Sequence, residues 1–437
     1  MSAVVVGAIL LGLLGVVLCA GVWIGMSLGI VGWIGLQGFT DTSPGRSLFT
    51  AFWGTNASWE LAALPLFIWM GEILFRTRLS EQMFEGLAPW LQRVPGRLMH
   101  VNILGCGIFG SVSGSSAATC ATIAKVALPE LRRRGYDEQI ALGSLATAGT
   151  LGILIPPSIT MVVYAVAADA SIIRVFLAGI MPGLLLMALF SGYIVLWALM
   201  NPERTPSDIE RVPFLQKLRR SRELIPCALL IIFILYVLLA GLATATECAA
   251  YGVLGSLVIA WWGGSLTREN FAESLIGATR VSCMIMFILA GASFLSKAMA
   301  FTGIPRELAE WVGALGLNRY ALIAILAVFY VILGTALDGI SMIVLTAAVV
   351  LPMIQTAGFD LVWFGVFVVL LVEIAEVTPP VGFNLFVLQN MTGKDSNTIA
   401  RAALPFFAML LVAIALITIF PGIATWLPDL VMGVQVQ

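Results

Sequence analysis

The sequence has 437 residues, of which 60% are hydrophobic and 11% are charged, with a mean hydropathy of +1.02 and a formal net charge of −1 at pH 7. This composition excludes an ordinary soluble domain, and a near-zero charge without a basic tract excludes a nucleic-acid-binding protein. Stretches free of Asp, Glu, Lys and Arg, such as 1–40 and 402–428, suit helices of ~20 residues and are too long for barrel strands, so we predict an all-α polytopic membrane protein.

The start of the chain predicts three membrane spans and a surface arm. Residues 1–20 and 21–37 form two closely joined spans, 38–58 is a polar loop that contains glycine, and 59–75 form a third span. Residues 76–97 mix arginine with Leu, Met, Phe and Trp, a pattern typical of an amphipathic helix that lies along the membrane surface. We expect this segment to be an arm that links two moving parts.

The next segment combines two short helices with a polar tip. Residues 101–134 form a helix, a tip at Ser113-Gly114-Ser115-Ser116 and a second helix, and each helix is short for a full crossing. We interpret this segment as a re-entrant hairpin, which enters and leaves the membrane on one side. Residues 138–168 then form one crossing that is broken at 149–157, and a clean span follows at 175–200.

Parts of this segment occur twice in the chain. Leu128-Pro129 returns as Leu351-Pro352, Gly135-Tyr136-Asp137 as Gly358-Phe359-Asp360, and Pro156-Pro157 as Pro379-Pro380. The separation is constant, since 352 − 129, 358 − 135 and 379 − 156 each give 223. A fixed spacing of this kind predicts a structural repeat. The first repeat spans 1–200, a polar connection covers 201–223, and the second repeat spans 224–437.

The second repeat has the same order of elements as the first. Its three predicted spans lie at 224–240, 247–262 and 274–300, and its arm lies at 303–318. The hairpin follows at 321–356, the broken crossing at 361–389 and the last span at 402–421. The tip of the second hairpin lies near 334–341. The second crossing is interrupted at Thr378-Pro379-Pro380.

The placement of charge predicts opposite orientations for the two repeats. Short loops rich in Lys and Arg stay in the cytoplasm, which places the connection 201–223 and the arginines 132–134 inside. Three crossings after residue 223 put the second hairpin on the outer face, and Lys394 and Arg401 then fall inside. The fold is therefore predicted to contain two inverted-topology repeats, each with a re-entrant helical hairpin and a broken transmembrane helix.

Inverted repeats with broken helices are typical of secondary transporters, because a repeat and its inverted copy can exchange conformations. Backbone groups freed at a break in mid-membrane can bind ions, whereas irregular backbone that faces lipid is costly. The alternative is that Pro-Pro only kinks a packed helix and that Ser-Gly-Ser only lets helices approach closely. Recurrence of hairpin and break at one separation favours the transporter.

Cysteine and histidine give no sign of a metal centre. The six cysteines lie singly in apolar stretches, and His100 is the only histidine. Such spacing is typical of small core side chains and not of a disulfide framework or a metal site. No cofactor is predicted.

Short motifs in both halves carry a resemblance to a known family. They are Pro65-Leu66-Phe67-Ile68, Gly71-Glu72, Val94-Pro95-Gly96, His100-Val101-Asn102, Ser113-Gly114-Ser115, Gly135-Tyr136-Asp137, Ile155-Pro156-Pro157-Ser158, Leu337-Asp338-Gly339 and Thr378-Pro379-Pro380-Val381-Gly382. With these motifs the chain resembles the large membrane subunit of tripartite ATP-independent periplasmic (TRAP) transporters, in the ion transporter superfamily. The resemblance covers nearly the whole chain.

The resemblance implies a Na⁺-coupled, elevator-type importer of an organic acid in the bacterial inner membrane. The expected acid is a C4-dicarboxylate, sialic acid or a similar carboxylate. In this family a periplasmic binding protein delivers the substrate, and a small membrane subunit braces the large one. Some members fuse the small subunit to the large one; because the first repeat begins at once here, we expect a separate chain. Membrane lipids are the remaining expected partner, and nucleic acid is not one.

The resemblance and the helix breaks together predict two sodium sites. The first should use Ser113, Ser115, Gly149, Thr150, Gly152 and Pro156. Because Pro156 has no N–H, the carbonyl of Gly152 loses its helical partner and is free for an ion. The second should use Gly334, Thr335, Asp338, Thr378 and Gly382. Such oxygen ligands suit a hard cation.

The substrate is expected between the two tips, near Ser115, Ser116 and Asn384. Ionisable groups inside membrane segments are candidates for function. Asp338 lies at a tip, so we favour a functional role for it over that of a satisfied structural carboxylate.

Three further carboxylates lie in membrane segments, at Glu72, Glu373 and Glu376. Each is either functional or structural, and a structural role would involve pairing with Lys125 or Lys297 or a position at a helix end.

Two other functions compete with the tripartite importer. A stand-alone Na⁺/dicarboxylate symporter of the same architecture would transport free substrate without a partner. An intramembrane enzyme is not expected, because the sequence has no His-Glu-x-x-His motif and no pair of membrane aspartates in a catalytic motif.

Overall fold

The computed structural model describes residues 3–77, 79–206, 213–304, 307, 310, 318–335, 337–379 and 382–433, and within these ranges it contains helices and no strand. The first half contains α1 to α11, at Ala3–Cys19, Ile24–Phe39, Pro44–Asn56, Ala63–Phe75, Leu79–Leu91, Met99–Ser113, Ser116–Arg133, Glu138–Ala148, Leu151–Leu154, Ile159–Ala167 and Ile172–Met200. The connection contains α12, at Phe214–Ser221. The second half contains α13 to α21, at Ile225–Leu239, Ala245–Trp262, Arg268–Thr302, Arg319–Gly334, Gly339–Thr356, Leu361–Glu376, Phe383–Thr392, Ser396–Ile419 and Gly422–Met432.

Many of these helices have the length and composition of membrane spans. Among the described residues, four helices qualify singly, at Ile172–Met200, Arg268–Thr302, Gly339–Thr356 and Ser396–Ile419. Two further pairs qualify together but are bent, Pro44–Asn56 with Glu60–Phe75 by 59° and Glu138–Leu154 with Ile159–Ala167 by 46°. Shorter apolar helices, including α2, α6 and α13, add to this set.

The polar loop predicted at 38–58 is wrong, because most of it is the helix α3. Pro44 stands at the first helical position, where its fixed φ favours a helix and its missing N–H costs nothing. Ser47 and Ala51 face inward, while Phe49 and Trp53 on the other side are about two-thirds exposed. The sequence is amphipathic at helical spacing, which its glycines and hydroxyl residues concealed.

Both predicted hairpins correspond to pairs of helices joined by a short tip. In the first, α6 ends at Gly114, which has a left-handed φ of 61°, and Ser115 caps α7 by accepting a hydrogen bond from the N–H of Ala118 at 3.5 Å. In the second, Asp338 caps α17 by accepting from the N–H of Ser341 at 3.2 Å. Ser115 and Asp338 lie 223 residues apart (338 − 115), so the two caps are equivalent.

Other equivalent positions also share their local geometry. Gly135 and Gly358 both turn the chain with left-handed φ values of 76° and 74°. Two residues further on, Asp137 caps α8 and Asp360 caps α18 through side-chain hydrogen bonds to backbone N–H groups. The sequence repeat therefore corresponds to the same turn-and-cap structure in both halves.

The broken helices differ from the predicted breaks in detail. The interruption expected at 149–157 is wrong at its start, because Gly149 and Thr150 keep right-handed helical angles and α9 follows them directly. The chain leaves the helix at Ile155, just before the two prolines, and α10 starts after Ser158. The second crossing consists of α18 and α19; Pro380, in its predicted interruption, lies outside the described residues.

The two halves interlock through their broken helices. The second part of the first broken helix, α10, packs against hairpin helix α17 of the other half, and α19 packs against hairpin helix α7. Tyr164 on α10 donates a hydrogen bond to the carbonyl of Leu361 at 2.6 Å, and Asn384 on α19 donates to the carbonyl of Ala146 at 2.9 Å. This reciprocal exchange packs each broken helix against the hairpin of the other half.

The arm and the connection form one unit on the surface. The indole N–H of Trp90 on α5 donates to the hydroxyl of Ser221 at 2.7 Å, and its ring meets Phe214 edge-on at 5.9 Å. The ammonium of Lys217 lies 5.8 Å from the same ring. The predicted connection thus contains the amphipathic helix α12, while most of the second predicted arm, 303–318, lies outside the described residues.

The residues predicted to face the cytoplasm gather at one end of the protein. Glu138 at the start of α8 binds Arg132 at 2.6 Å and Lys394 at 2.5 Å. Arg204 in the connection lies 3.5 Å from Asp137. Because these basic residues come from both halves and from the connection, their common location agrees with the charge-based orientation.

Candidate functional site

The first hairpin tip is a compact network of hydroxyl groups. The hydroxyl of Thr119 donates to the carbonyl of Ser115 at 2.7 Å, and the hydroxyl of Ser113 lies 2.7 Å from that of Thr119. Ser113 and Thr119 are buried. Thr119 was not predicted as a site residue, although it stands one helical turn after Ser115, the spacing at which a hydroxyl reaches the carbonyl four residues earlier.

The first break lies directly against this tip. A Cβ added at Gly110 would lie 2.6 Å from the Cα of Gly152. A Cβ added at Gly152 would lie 2.8 Å from the hydroxyl of Thr119 and 3.2 Å from the carbonyl oxygen of Ser115. Only glycine permits so close an approach of two backbones. The structure therefore brings Ser113, Ser115 and Gly152, three residues of the predicted first sodium site, together.

The carbonyl of Gly152 is left without its usual helical donor. The N–H of Ile155 donates to the carbonyl of Leu151 at 2.9 Å, so the donor for Gly152 would be residue 156. Residue 156 is proline, which has no N–H. Pro156 thus contributes to the predicted site indirectly, because it leaves the carbonyl of Gly152 without a hydrogen-bond donor.

Gly149 and Thr150 sit one turn earlier on the same helix. A Cβ at Gly149 would lie 2.7 Å from the Cβ of Cys120 and 3.1 Å from the side-chain nitrogen of Asn384. The hydroxyl of Thr150 is completely buried and donates to the carbonyl of Thr147 at 2.7 Å. Of the predicted substrate residues, Asn384 thus lies beside the first break.

Ser116 and Asn384 are both buried, at 4% and 0% exposure. The side-chain oxygen of Asn384 has no hydrogen-bond partner among the described residues, although its nitrogen is bonded to Ala146. Ser115 is half-buried at the tip. The three predicted substrate residues therefore surround the contact between the first tip and the first break.

The second tip packs against the end of α18. A Cβ at Gly334 would lie 2.2 Å from the Cβ of Ala375, and one at Gly339 would lie 2.1 Å from a methyl group of Val372. The side chain of Asp338 is exposed, caps α17 and accepts a short hydrogen bond from the hydroxyl of Ser341.

The remaining residues of the predicted second site use their polar groups locally. The hydroxyl of Thr335 donates to the carbonyl of Ile332 at 2.7 Å, and that of Thr378 donates to the carbonyl of Ile374 at 2.6 Å. The N–H of Gly382 donates to the carbonyl of Thr378 at 2.9 Å. Thr378 and Gly382 are thus adjacent, and their contacts are within the break itself.

Among the residues that the structure describes, neither Lys125 nor Lys297 forms an ion pair with a membrane carboxylate. Glu72 forms a short ion pair with Arg76, one helical turn away on the same side of α4. Glu373 is completely buried, and neither of its carboxyl oxygens has a hydrogen-bond partner among the described residues. Lys297 instead lines a cleft between α3, α10, α15 and α17, together with Thr50, Glu60, Asp169, Ser293 and Val344.

These features define a class of protein before any relative is considered. The chain is a polytopic, all-helical protein in which two broken helices meet two hairpin tips, an arrangement typical of membrane transporters. The chain belongs to the family "Tripartite ATP-independent periplasmic transporter, DctM component", whose model matches residues 11–423. It is therefore a large permease of the TRAP family and a multi-pass membrane protein.

Individual relatives agree with this assignment. The C4-dicarboxylate TRAP transporter large permease of Pseudomonas aeruginosa is 31% identical over 92% of this chain and 94% of its own length. The sialic acid TRAP large permease of Vibrio cholerae is 26% identical over 86% and 88%. The isethionate TRAP permease DctMQ of Oleidesulfovibrio alaskensis is 28% identical over 84% of this chain and 58% of its own length. These relatives are transporter permeases, and none is named as an enzyme.

A solved structure resembles the fold as a whole. The YdaH transporter of Alcanivorax borkumensis superposes with a TM-score of 0.62 over 88% of this chain and 89% of its own, at 14% sequence identity. At this identity the similarity concerns the fold alone. It confirms the prediction of an all-α polytopic membrane fold.

Proposed function

We propose that this chain is the membrane-embedded permease of a Na⁺-coupled importer of an organic acid. The observation that supports the proposal most directly is the backbone contact between the first tip and the first break at Gly110 and Gly152. There the backbone of Gly152, whose carbonyl lacks its helical donor, lies against the Ser115 carbonyl and the Thr119 hydroxyl, and oxygen groups of this kind suit Na⁺. The second site is proposed at Gly334, Thr335, Asp338, Thr378 and Gly382.

The proposed substrate is an acid because the named relatives carry acids. Their names specify C4-dicarboxylate, sialic acid and isethionate. We place the acid group near Ser115, Ser116 and Asn384. The two serines at the start of α7 each offer a hydroxyl group, and Asn384 on α19 offers an amide.

Transport is proposed to follow an elevator mechanism in the bacterial inner membrane. The hairpins and broken helices, which interlock across the two halves, would move as one body. The remaining helices, with the arm α5 and α12, would stay fixed. A small membrane subunit and a periplasmic binding protein are the proposed partners.

Reconstitution tests this proposal. The chain and its small subunit are placed in liposomes with an inward Na⁺ gradient, and uptake of labelled C4-dicarboxylate, sialic acid and isethionate is measured with and without the cognate binding protein. Uptake that requires both Na⁺ and the binding protein is expected for at least one acid. Uptake of free acid without the binding protein would instead indicate the stand-alone symporter, and uptake that is independent of Na⁺ would contradict the coupling.

A further inference from the structure

Glu373 is a buried carboxylate without a described partner. It lies on α18 with 0% exposure, and both of its carboxyl oxygens lack a hydrogen bond within the described part of the chain. One helical turn later, an oxygen of Glu376 is also buried and without a partner there. An ionised carboxylate left in this state costs several kcal/mol, so its charge must be compensated, either by a bound proton or by a cation.

One hydroxyl group faces Glu373. Thr150 lies next to the carboxylate, and its hydroxyl oxygen is 2.7 Å from the carbonyl oxygen of Thr147. A threonine hydroxyl has a single hydrogen to donate, so Thr150 cannot satisfy the Thr147 carbonyl and both oxygens of Glu373 at the same time. A cation between Glu373 and the Thr150 oxygen would bind lone pairs of both groups.

The surroundings add negative charge and no described positive charge. Glu376 lies near both Glu373 and Asp338. Among the described residues, the ion pairs of lysine and arginine are formed elsewhere, with Glu72, Glu130, Asp137, Glu138, Glu273 and Asp429. A cation bound beside Glu373 would neutralise a region that the protein leaves negative.

The position of this contact in the repeat is also informative. Thr150 and Glu373 are 223 residues apart (373 − 150), so they are equivalent positions of the two halves. Equivalent residues of two related halves can touch only close to the symmetry axis between them. A cation held by both would therefore bind the first half to the second at the centre of the protein.

We propose that Glu373 is the charged ligand of the first cation site, where it lies beside Thr150. Sequence reasoning predicted this site from hydroxyl and carbonyl groups alone. The identity of the cation as Na⁺ rests on the proposed function. A carboxylate ligand attracts a hard monovalent cation more strongly than neutral oxygens do, because the full charge acts at low dielectric.

A binding measurement on the purified chain with its small subunit tests the assignment without transport. The thermal unfolding midpoint is recorded in lipid nanodiscs as NaCl replaces KCl at constant ionic strength. For the wild type, Na⁺ is expected to raise the midpoint saturably, because a ligand that binds only the folded state stabilises it. In Glu373→Gln the midpoint in KCl is expected to equal or exceed that of the wild type, since an uncompensated charge is gone. The half-saturating Na⁺ concentration is expected to rise about tenfold or more, the loss of one strong contact.

The matched control is Glu247→Gln, another single carboxylate on a membrane helix. Glu247 accepts hydrogen bonds from Thr244 in a capping box at the start of α14, and a glutamine there can still accept them, so the midpoint should change little and the Na⁺ response should stay unchanged. If Glu373→Gln does not fold, Thr150→Val and Glu373→Asp take its place, and both are expected to weaken the Na⁺ response.

The outcomes separate this inference from the proposed function. Na⁺-coupled uptake by the wild type, with an unchanged half-saturating Na⁺ concentration in the Glu373 and Thr150 variants, would overturn the role of Glu373 and leave the proposed function intact. A wild type that shows neither stabilisation by Na⁺ nor Na⁺-dependent uptake would overturn both. A weakened Na⁺ response in these variants, with the Glu247→Gln control unchanged, supports the assignment.

Discussion

The two hairpin tips hold equivalent positions in the repeat, yet they use their polar groups differently. At the first tip, Ser113, Ser115 and Thr119 bond to one another, and the tip touches the backbone of the first break. At the second tip, Asp338 is exposed and its carboxylate caps its own helix through Ser341. The first tip is thus a closed network of neutral groups, and the second is an open one that carries a charge.

The helix behind each tip also packs more closely in the first half than in the second. Gly152 and Ala375 are equivalent positions (375 − 152 = 223), and each faces a glycine of its own hairpin, Gly110 and Gly334. The glycine pair lets two backbones touch, whereas the alanine methyl keeps the second hairpin further from α18. A repeat therefore specifies the turn and the cap, while single substitutions within it decide which half can bring backbone carbonyls together.

The largest effect is expected where the first tip meets the first break. Gly152→Ala makes this position resemble Ala375, but its Cβ would lie within 3.2 Å of the Thr119 hydroxyl, the Gly110 Cα and the Ser115 carbonyl. We expect a loss of stability of about 1–3 kcal/mol from overpacking and the loss of Na⁺-dependent uptake. Unfolding and uptake in proteoliposomes measure the two effects.

Gly15→Ala is the control for this substitution, because no atom lies within 4 Å of a Cβ at that position in α1. It should fold and transport as the wild type does. Full uptake by Gly152→Ala would show that the first tip and break do not need their backbone contact.

The next effect should come from making the second tip resemble the first. Asp338→Ser keeps a capping hydroxyl but removes the carboxylate, whereas Asp338→Ala removes both. We expect Asp338→Ala to lose about 1 kcal/mol of stability with its cap and Asp338→Ser to lose little. Both should weaken the Na⁺ dependence of uptake. Equal Na⁺ dependence in Asp338→Ser and wild type would show that Asp338 acts as a cap only.

The repeat, the hairpin tips and the Pro-Pro breaks could be predicted from the sequence because they depend on local signals. Glycine at a turn with positive φ, aspartate just before a helix and Pro-Pro at a helix break each determine the backbone of only a few neighbouring residues. The first tip and first break were predicted in this way, and the structure places Gly152 against Ser115 and Thr119.

What the sequence did not reveal depends on tertiary packing. The helix α3 was predicted as a loop because its inward face became evident only with α15 packed against it. Glu373 was left between a structural and a functional role, because only the packing of α18 against α9 shows that it is completely buried and lies beside Thr150. The exchange of α10 and α19 between halves likewise depends on contacts that are distant in the chain.

A smaller effect is expected in the cleft that borders the second hairpin helix. Lys297 lines this cleft with Ser293 and Val344. The carboxylates Glu60 and Asp169 line the same cleft. If the acid reaches the second tip through it, Lys297→Gln removes the positive charge that offsets these carboxylates, so it should raise the KM for uptake severalfold with little change in kcat, and the effect should shrink at high salt. Lys217→Gln, on the connection helix, is the control. An unchanged KM would indicate that the acid does not pass this cleft.

The smallest effect is expected at the equivalent turns of the two halves, at Gly135 and Gly358. Gly135 and Gly358 both have left-handed φ values, of 76° and 74°, and no atom lies within 4 Å of a Cβ at either position. Alanine at each should therefore cost only the conformational penalty, about 1 kcal/mol, and the two unfolding free energies should fall by the same amount. A clear difference between the two losses in unfolding free energy would show that the asymmetry seen at the tips extends to the turns.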